Sequence, residues 1–392
     1  MTKKIAITGA SGAVGRMIVP RLARAGIGLV LAGRDPERLR VLFPGHAAVG
    51  YDDLPADLRG CDAVLHLAAL NNDSGASPEV FRAVNVDFLL QIAAIAREAG
   101  VPLFINAATV QALDVRTTDP YAATKREGEA VLATLEGMNC VNLRLPAVYG
   151  DRFGGRLAVL NRFPAVLKKP AFAFASAFGP VVSADRVADA VTGLLEGKGD
   201  SEVSVADPKE ENAAYCFLKR CMDLAFVAVV ALLFWWLFIL AWFAVKLTSP
   251  GPGLFAQSRV GRNEHVFTCY KFRTMRTGAP QAGTHEVPAS HITSVGRLLR
   301  KTKIDELPQI LNILRGEMSL VGPSPCLPSQ TELLDWRRRL GVFRCRPGIT
   351  GVAQVEGIDM SRPERLARID ARYCALRSLP LDIRLALATV FH

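Results

Sequence analysis

Residues 221–245 read CMDLAFVAVVALLFWWLFILAWFAV, a run with one charge, Asp223, and neither glycine nor proline. A helix of this composition is apolar on every side, so it is stable only in a large core or in lipid. At about 1.5 Å per residue the run would reach roughly 37 Å, enough to cross a hydrocarbon layer of about 30 Å. Trp235, Trp236 and Trp242 favour lipid over a buried core, because indole rings suit the boundary between bilayer and water. Lys219-Arg220 and Lys246 bracket the run, and SPGPG (249–253) ends it. One membrane helix within 216–250 is therefore expected.

The rest of the chain is not that of a polytopic membrane protein. Half of its 392 residues are hydrophobic and 21% are charged, which also excludes a disordered chain, and the length suits two domains. Residues 1–210 hold 23 of the 47 Lys+Arg and 23 of the 37 Asp+Glu, so the remaining 24 basic and 14 acidic residues carry the whole +10. A basic C-terminal part suits phosphates on lipid, nucleotide or nucleic acid, a merely soluble basic face being the plainer alternative. The eight cysteines stand singly, with no CxxC pair and no zinc-type Cys/His spacing, which points to reduced thiols in a cytoplasmic setting. The opening MTKKIAITGA runs straight into a nucleotide-binding pattern, so no cleavable signal peptide is expected.

From residue 4 to about 205, short apolar runs (KIAIT, IGLVLA, AVLHLAA, PLFINAA, VNLRL) alternate with amphipathic stretches such as 14–25 and 88–99. That alternation predicts βαβ units around a parallel sheet. Polar ADPKEENAAY (206–215) reads as a linker. The expected domains are 1–205, the membrane helix 216–250 and a basic domain 251–392, with a helical pattern at 364–376.

IAITGASGAVG (5–15) places Gly9, Gly12 and Gly15 after a strand and at the opening of a helix. Glycines there permit a tight turn and let backbone N–H groups approach a pyrophosphate at the helix N-terminus. At the end of the second strand, Arg34 suits the 2′-phosphate of NADP(H), while Asp35 beside it keeps NAD open. With CDAVLHLAA (61–69), YAATK (121–125) and LRLPAVYG (143–150), the first 205 residues resemble the extended short-chain dehydrogenase/reductase family. The resemblance adds Asp62 to the cofactor-binding glycines and Arg34. It also implies that Tyr121 acts as general acid/base, with Lys125 lowering the tyrosine pKa and holding the ribose. Where that family carries Ser or Thr, this chain has Ala107, leaving Thr109 or Asn106 as substitutes. The reaction expected is NADPH-dependent reduction of a keto sugar nucleotide, the alternative being a catalytically silent nucleotide-binding domain.

Downstream, Asp305 and Glu306 stand side by side behind Arg297, Arg300, Lys301 and Lys303. Adjacent carboxylates repel, and hard oxygen donors in a cationic frame suit Mg²⁺ beside a diphosphate. KFRTM (271–275), IDELPQ (304–309), SLVGP (319–323) and RPGITGVAQV (346–355) follow the apolar run in order, and residues 215–392 resemble the bacterial sugar transferase family of monotopic phosphoglycosyl transferases. The resemblance implies that Asp305 is the nucleophile toward a UDP-sugar and polyprenol phosphate the acceptor. Glu306 would orient Asp305 and the metal. Lys271, Arg273 and Arg346 would meet phosphates, and Gln354 the nucleotide or its loop. Ser324 stands where that family usually has arginine between its prolines, and Trp235-Trp236 where its membrane helix breaks at Ser-Pro.

The expected fold class is α/β: an N-terminal Rossmann parallel sheet, a membrane-inserted helix and a compact, mainly helical transferase domain. Nicotinamide cofactors and UDP-sugars are both cytosolic, so a re-entrant helix with both flanks on the cytoplasmic face of the bacterial inner membrane is preferred. Expected partners are a UDP-sugar, polyprenol phosphate and membrane lipid. No nucleic-acid-binding motif occurs, so nucleic acid is not a partner. The oligomeric state is left open, a homo-oligomer included. A membrane-tethered nucleotide-binding scaffold without catalysis is the rival reading from outside enzymology.

Overall fold

The structure, a computed structural model, describes residues 3–71, 74–114, 117–199, 201–278 and 291–390. It divides into two compact units, one of Met1–Phe172 with Pro180–Asp207, the other of Ala173–Gly179 with Pro208–His392.

The first unit is built on a seven-stranded parallel sheet of order β3-β2-β1-β4-β5-β6-β9. Its strands are β1 (Lys4–Thr8), β2 (Gly28–Ala32), β3 (Ala47–Val49), β4 (Ala63–His66), β5 (Leu103–Thr109), β6 (Asn139–Leu145) and β9 (Glu202–Ser204), with β7 (Ala147–Tyr149) and β8 (Val181–Ser183) forming a separate pair. Both faces of a parallel sheet are covered, so its strands alternate between two cores. Ile5, Ile7, Leu29 and Leu31 pack with Ile18, Val19, Leu22 and Val191 on one side. Ala6, Val30, Val64 and Phe104 pack with Leu89, Ile92 and Ala93 on the other. The strand order reverses between β1 and β4, and in open α/β sheets ligands bind at the strand C-termini at such a point.

The stretch expected to be a linker is instead packed. Asp207 accepts from the Tyr149 hydroxyl (2.7 Å) and the Ser183 amide (3.1 Å) in the first unit. In the second, buried Lys209 donates to the carbonyls of Ser176 and Gly179, and Asn212 caps the next helix through the Tyr215 amide at 2.9 Å. Polar composition here reflects hydrogen-bonding duty rather than solvent exposure.

In the second unit the apolar run is not one helix. Ala213–Leu233 and Trp235–Thr248 meet at Phe234 with a bend of 68°. No single helix among the described residues is long and apolar enough to cross a membrane; only the bent pair meets that test, by length and composition. The break needs neither proline nor glycine. In a continuous helix the Leu233 carbonyl would accept from the Leu237 amide. Here the Trp236 indole N–H donates to it at 3.0 Å, and Leu237 turns to Phe234 at 2.9 Å.

The first turns of the leading helix belong to the globular body, not to a membrane flank. Buried Asp382 accepts from the Tyr215 hydroxyl (2.8 Å) and from Lys219 (2.9 Å). Arg220 donates to the carbonyls of Ile313 (2.6 Å) and Leu314 (2.9 Å). Asp223, the one charge of the run, accepts from Ser319 Oγ and Leu320 N, both at 2.9 Å. From Leu232 to Leu247 the large apolar side chains Trp235, Trp236, Ile239, Leu240 and Phe243 are exposed.

Around these arms lie an antiparallel pair, β10 (Leu254–Val260) with β11 (Val266–Phe272), and a parallel pair, β12 (Ser319–Val321) with β13 (Gly348–Thr350). The remaining elements are helical, including Pro363–Leu376. Cys345 and Cys374, expected as separate thiols, are joined as a disulfide across 29 residues; Cys61, Cys140, Cys216, Cys221, Cys269 and Cys326 are free. The pairing depends on a fold that brings the chain before β13 against the helix Pro363–Leu376, which cysteine spacing does not encode.

Candidate active sites

Gly9 adopts φ +72°, and a Cβ there would lie 2.5 Å from the Ala68 nitrogen. A Cβ on Gly15 would lie 2.4 Å from the Ala10 carbonyl oxygen, so this glycine seats the helix Ala13–Arg24 on its strand. Gly12 caps that helix without a side chain. The turn therefore presents backbone N–H groups at the strand ends where the sheet order reverses, a cradle that side chains would fill and a dinucleotide pyrophosphate suits. Arg34, just past β2, is exposed, whereas Asp35 accepts from the Arg38 amide (3.0 Å) and caps the helix Pro36–Leu42. Asp62 does not join them. It precedes β4 and accepts from Lys3 Nζ (2.7 Å) and Lys4 N (2.8 Å), which places it at the N-terminal edge of the parallel sheet, opposite the glycine turn.

Tyr121 lies in the first turn of the helix Pro120–Leu132, and Thr109 ends β5. Thr109 lies near enough to lower the Tyr121 pKa, and burial, reinforced by Asp119, outweighs it and keeps the phenol above its ordinary value. Of the two proposed substitutes, only Thr109 reaches Tyr121: the Asn106 amide donates to Asn142 Oδ1 at 2.9 Å between β5 and β6. Lys125 is buried and donates to the Ala107 carbonyl at 2.8 Å. Burial brings its pKa down to about 8 against the pull of Glu129. Burial dominates the Tyr121 pKa, and the Lys125 ammonium is held by backbone. Sequence reasoning passed over His66, whose Nδ1 is 2.9 Å from Thr8 Oγ1 and whose Nε2 is buried without a partner. Burial, then the charge of Lys125, brings its pKa down to about 3, so this imidazole is neutral.

In the second unit, Lys303 takes a left-handed backbone (φ +56°) and opens the short 3₁₀ helix Ile304–Gln309. Such a conformation in a residue with a Cβ costs about 1–3 kcal/mol and is found where the surroundings enforce it. The turn sends Asp305 inward, 8% exposed, and leaves Glu306 to meet Lys271 of β11 at 2.5 Å. Burial first and Glu306 second raise the Asp305 pKa to about 6, against Lys271 and Arg300. Arg300 is steadied by donating to Thr274 Oγ1 at 2.9 Å.

Three residues expected around this pair have other settings. Arg273 is buried and donates to the carbonyls of Ser249 (2.7 Å) and Pro250 (2.5 Å), tying down the SPG turn after the second arm, so it is not free for phosphate. Arg346 is half-buried and makes no hydrogen bond or ion pair among the described residues. Burial, then Arg262 and Arg220, lower its pKa, so it belongs to a second cationic group. Gln354 buries an unpartnered Oε1 that would lie 2.9 Å from a Cβ on Gly351. The loops around β12 and β13 meet backbone to backbone, since a Cβ on Gly348 would lie 2.1 Å from Gly322 N. Ser324 sits where Arg337 donates to its carbonyl (2.7 Å), and Arg337 also pairs with Asp370 (2.6 Å). Both side chains of that ion pair are buried, and DWRRR (335–339) gives no sign of which arginine turns inward.

Among the described residues, no cluster of three or more His, Cys, Asp or Glu side chains can hold a metal. Two adjacent carboxylates nonetheless fit Mg²⁺, which keeps waters and substrate phosphate oxygens in its shell, and the charge strain at Asp305 is of the kind a cation relieves.

A model of the bacterial sugar transferase family matches residues 214–392, and one of the NAD dependent epimerase/dehydratase family matches residues 5–170. UDP-glucose:undecaprenyl-phosphate glucose-1-phosphate transferase of Caulobacter vibrioides is 40% identical over 183 residues, covering 44% of this chain and 68% of its own. The exopolysaccharide production protein ExoY of Rhizobium meliloti is 36% identical over 190 residues, covering 44% of this chain and 83% of its own. Among solved structures, UDP-N-acetylglucosamine 4-epimerase of Methanobrevibacter ruminantium aligns with 21% identity and a TM-score of 0.41, over 52% of this chain and 76% of its own.

Proposed function

Because the chain belongs to the bacterial sugar transferase family over 214–392 and carries an NAD dependent epimerase/dehydratase domain over 5–170, we propose that it transfers a phosphosugar from a UDP-sugar to polyprenol phosphate through Asp305. The observation that carries the reading is the buried Asp305 carboxylate, its pKa raised to about 6 beside Glu306, Lys271 and Arg300. Such a group is ionised at neutral pH yet more nucleophilic than an ordinary carboxylate. A carboxylate oxygen of Asp305 attacks the sugar-bearing phosphorus, the bond from that phosphorus to the bridging oxygen breaks, and UMP leaves with the electron pair. An oxygen of polyprenol phosphate then attacks the same phosphorus. The Asp305–phosphorus bond breaks, the carboxylate is restored, and a polyprenyl diphosphosugar is formed. Lys271 holds Glu306 in place, and Lys271 and Arg300 offset charge at the phosphates. Asp305 and Glu306 would hold Mg²⁺, which when bound supplies charge neutralisation at the diphosphate.

The bent helix pair and its exposed apolar face support membrane association as a re-entrant hairpin, with both flanks on the cytoplasmic side. In the first unit, exposed Arg34 with Asp35 engaged as a cap supports NADP(H). NADPH, when bound, supplies the hydride for reduction of a 4-keto sugar nucleotide. Tyr121, kept protonated by burial, would give its phenolic proton to the carbonyl oxygen of the keto sugar, with Thr109 as its neighbour. The bond from Lys125 to the Ala107 carbonyl favours a second reading, in which this domain binds nucleotide without turnover. Mixing the protein with a panel of UDP-sugars and undecaprenyl phosphate should release UMP with one of them. Release by Asp305→Asn at the wild-type rate would overturn the assignment.

A further inference from the structure

Beside the reactive pair lies a groove of about 500 Å³ lined by apolar residues alone. One wall comes from the second arm of the bent pair, through Ile239, Trp242 and Phe243, and the other from Pro308, Ile310 and Leu311. Two segments tie this groove to the chemistry. Pro308 belongs to the same 3₁₀ helix as Asp305 and Glu306. Phe272, on the groove floor, follows Lys271, the partner of Glu306. The outer side is continuous with the exposed apolar face of the arm, where Ile239, Leu240, Phe243 and Leu247 stand in solvent. Trp242 is fixed rather than loose: a Cβ on Gly253 would lie 2.6 Å from its ring, Phe243 packs edge-on at 5.1 Å, and Lys246 sits 5.9 Å over it. Lys301 and Lys303, just before the two carboxylates in the chain, are exposed.

We propose that this groove holds the part of the isoprenoid chain next to the phosphate of the lipid acceptor, with the remaining chain passing along the exposed face of the second arm into the bilayer. This rests on the reading that Asp305 serves a polyprenol phosphate. The acceptor has a dianionic head that must reach the Asp305 phosphosugar and a hydrocarbon tail that must stay out of water. The groove answers both needs, because it shares the 3₁₀ helix of the carboxylates through Pro308 and opens on an apolar surface. A sugar nucleotide would leave its hydroxyls without partners there.

The full chain in nanodiscs, treated with an undecaprenyl phosphate analogue carrying a diazirine on its first isoprene unit, should be labelled within 238–243 or 308–311. Excess undecaprenyl phosphate should prevent the labelling. Leu311→Trp, at a half-exposed position with room for a larger ring, should fill the groove, abolish the label and raise KM for undecaprenyl phosphate by about tenfold. Thermal melting would confirm that the variant is folded. Label elsewhere in a protein that releases UMP would overturn the groove and leave the transferase reading intact. Competed label in the groove of a protein that releases no UMP would do the reverse. Capture of a second copy of the chain in place of the lipid would also overturn the proposal.

Discussion

Lys125 and Asp305 are both buried ionisable groups, yet the two units treat them differently. The ammonium of Lys125 meets a backbone carbonyl at 2.8 Å, and the neighbouring Tyr121 is held protonated by burial. Asp305 is pressed against Glu306 and only partly answered by Lys271 and Arg300. Burial alone depresses the Lys125 pKa, to about 8, whereas at Asp305 a like charge adds to burial, a conflict that a polyphosphate substrate and its cation would relieve. Buried groups carry such strain at a cost in stability, and they persist where chemistry uses them.

The sharpest way to break this contrast is at Asp305. Asp305→Asn should reduce UMP release by at least about a thousandfold, because an amide cannot form the acyl phosphate. The same variant should be more stable than wild type above pH 6, measured by urea unfolding in EDTA. The folded pKa of about 6 lies above the ordinary 3.8, so the folded form binds the proton more tightly. Its stabilising contribution is complete below about pH 4 and is lost as pH rises toward 6. The amide escapes that loss, a gain of up to about 3 kcal/mol. A destabilised Asp305→Asn would mean that the carboxylate is well compensated and that the contrast is false.

Tyr121→Phe should remove NADPH oxidation with a 4-keto sugar nucleotide, by about a hundredfold or more, and leave UMP release unchanged. Equal keto reduction by both proteins would favour the nucleotide-binding reading of the first unit. Lys271→Met should act on the second unit alone. In wild type, UMP release should fall tenfold per pH unit below the Asp305 pKa and level off above it, with the bound cation setting that limb below the metal-free value of about 6. Removing the lysine should shift that limb upward by about one unit. An unmoved limb would mean that Lys271 does not act on Asp305. The smallest effect is expected at Trp236→Phe, which deletes the indole donor to Leu233. The loss should be about 1 kcal/mol or less, with a straighter pair of arms seen in spin-label distances.

What the sequence reveals of these sites follows from what is local. The glycine spacing at 9, 12 and 15 carries its own geometry, since the chain cannot turn at Gly9 or seat a helix at Gly15 with a Cβ present. Asp305-Glu306 is legible because KFRTM, SLVGP and RPGITGVAQV stand around it in order; alone, the pair would read as an exposed one. Lys219 misleads because its partner, Asp382, lies 163 residues away. The resemblance places the helix break at Trp235-Trp236, but its cause is hidden, because a tryptophan side chain, with no proline or glycine, replaces the helical donor. Asp62 misleads because only the direction of β4 tells which end of the sheet it occupies. Arg273 looks like Lys271 two residues earlier, but β11 ends at Phe272 and the chain turns its guanidinium toward the SPG carbonyls.

The most direct test of the central claim is the mass of the protein after exposure to its UDP-sugar with no acceptor. A phosphosugar adduct should appear on the peptide containing Asp305, with UMP released in equal amount; undecaprenyl phosphate should discharge the adduct and let UMP release continue, and Asp305→Asn should show neither adduct nor UMP. UMP that appears only together with lipid product, from a protein that never carries an adduct, would contradict it.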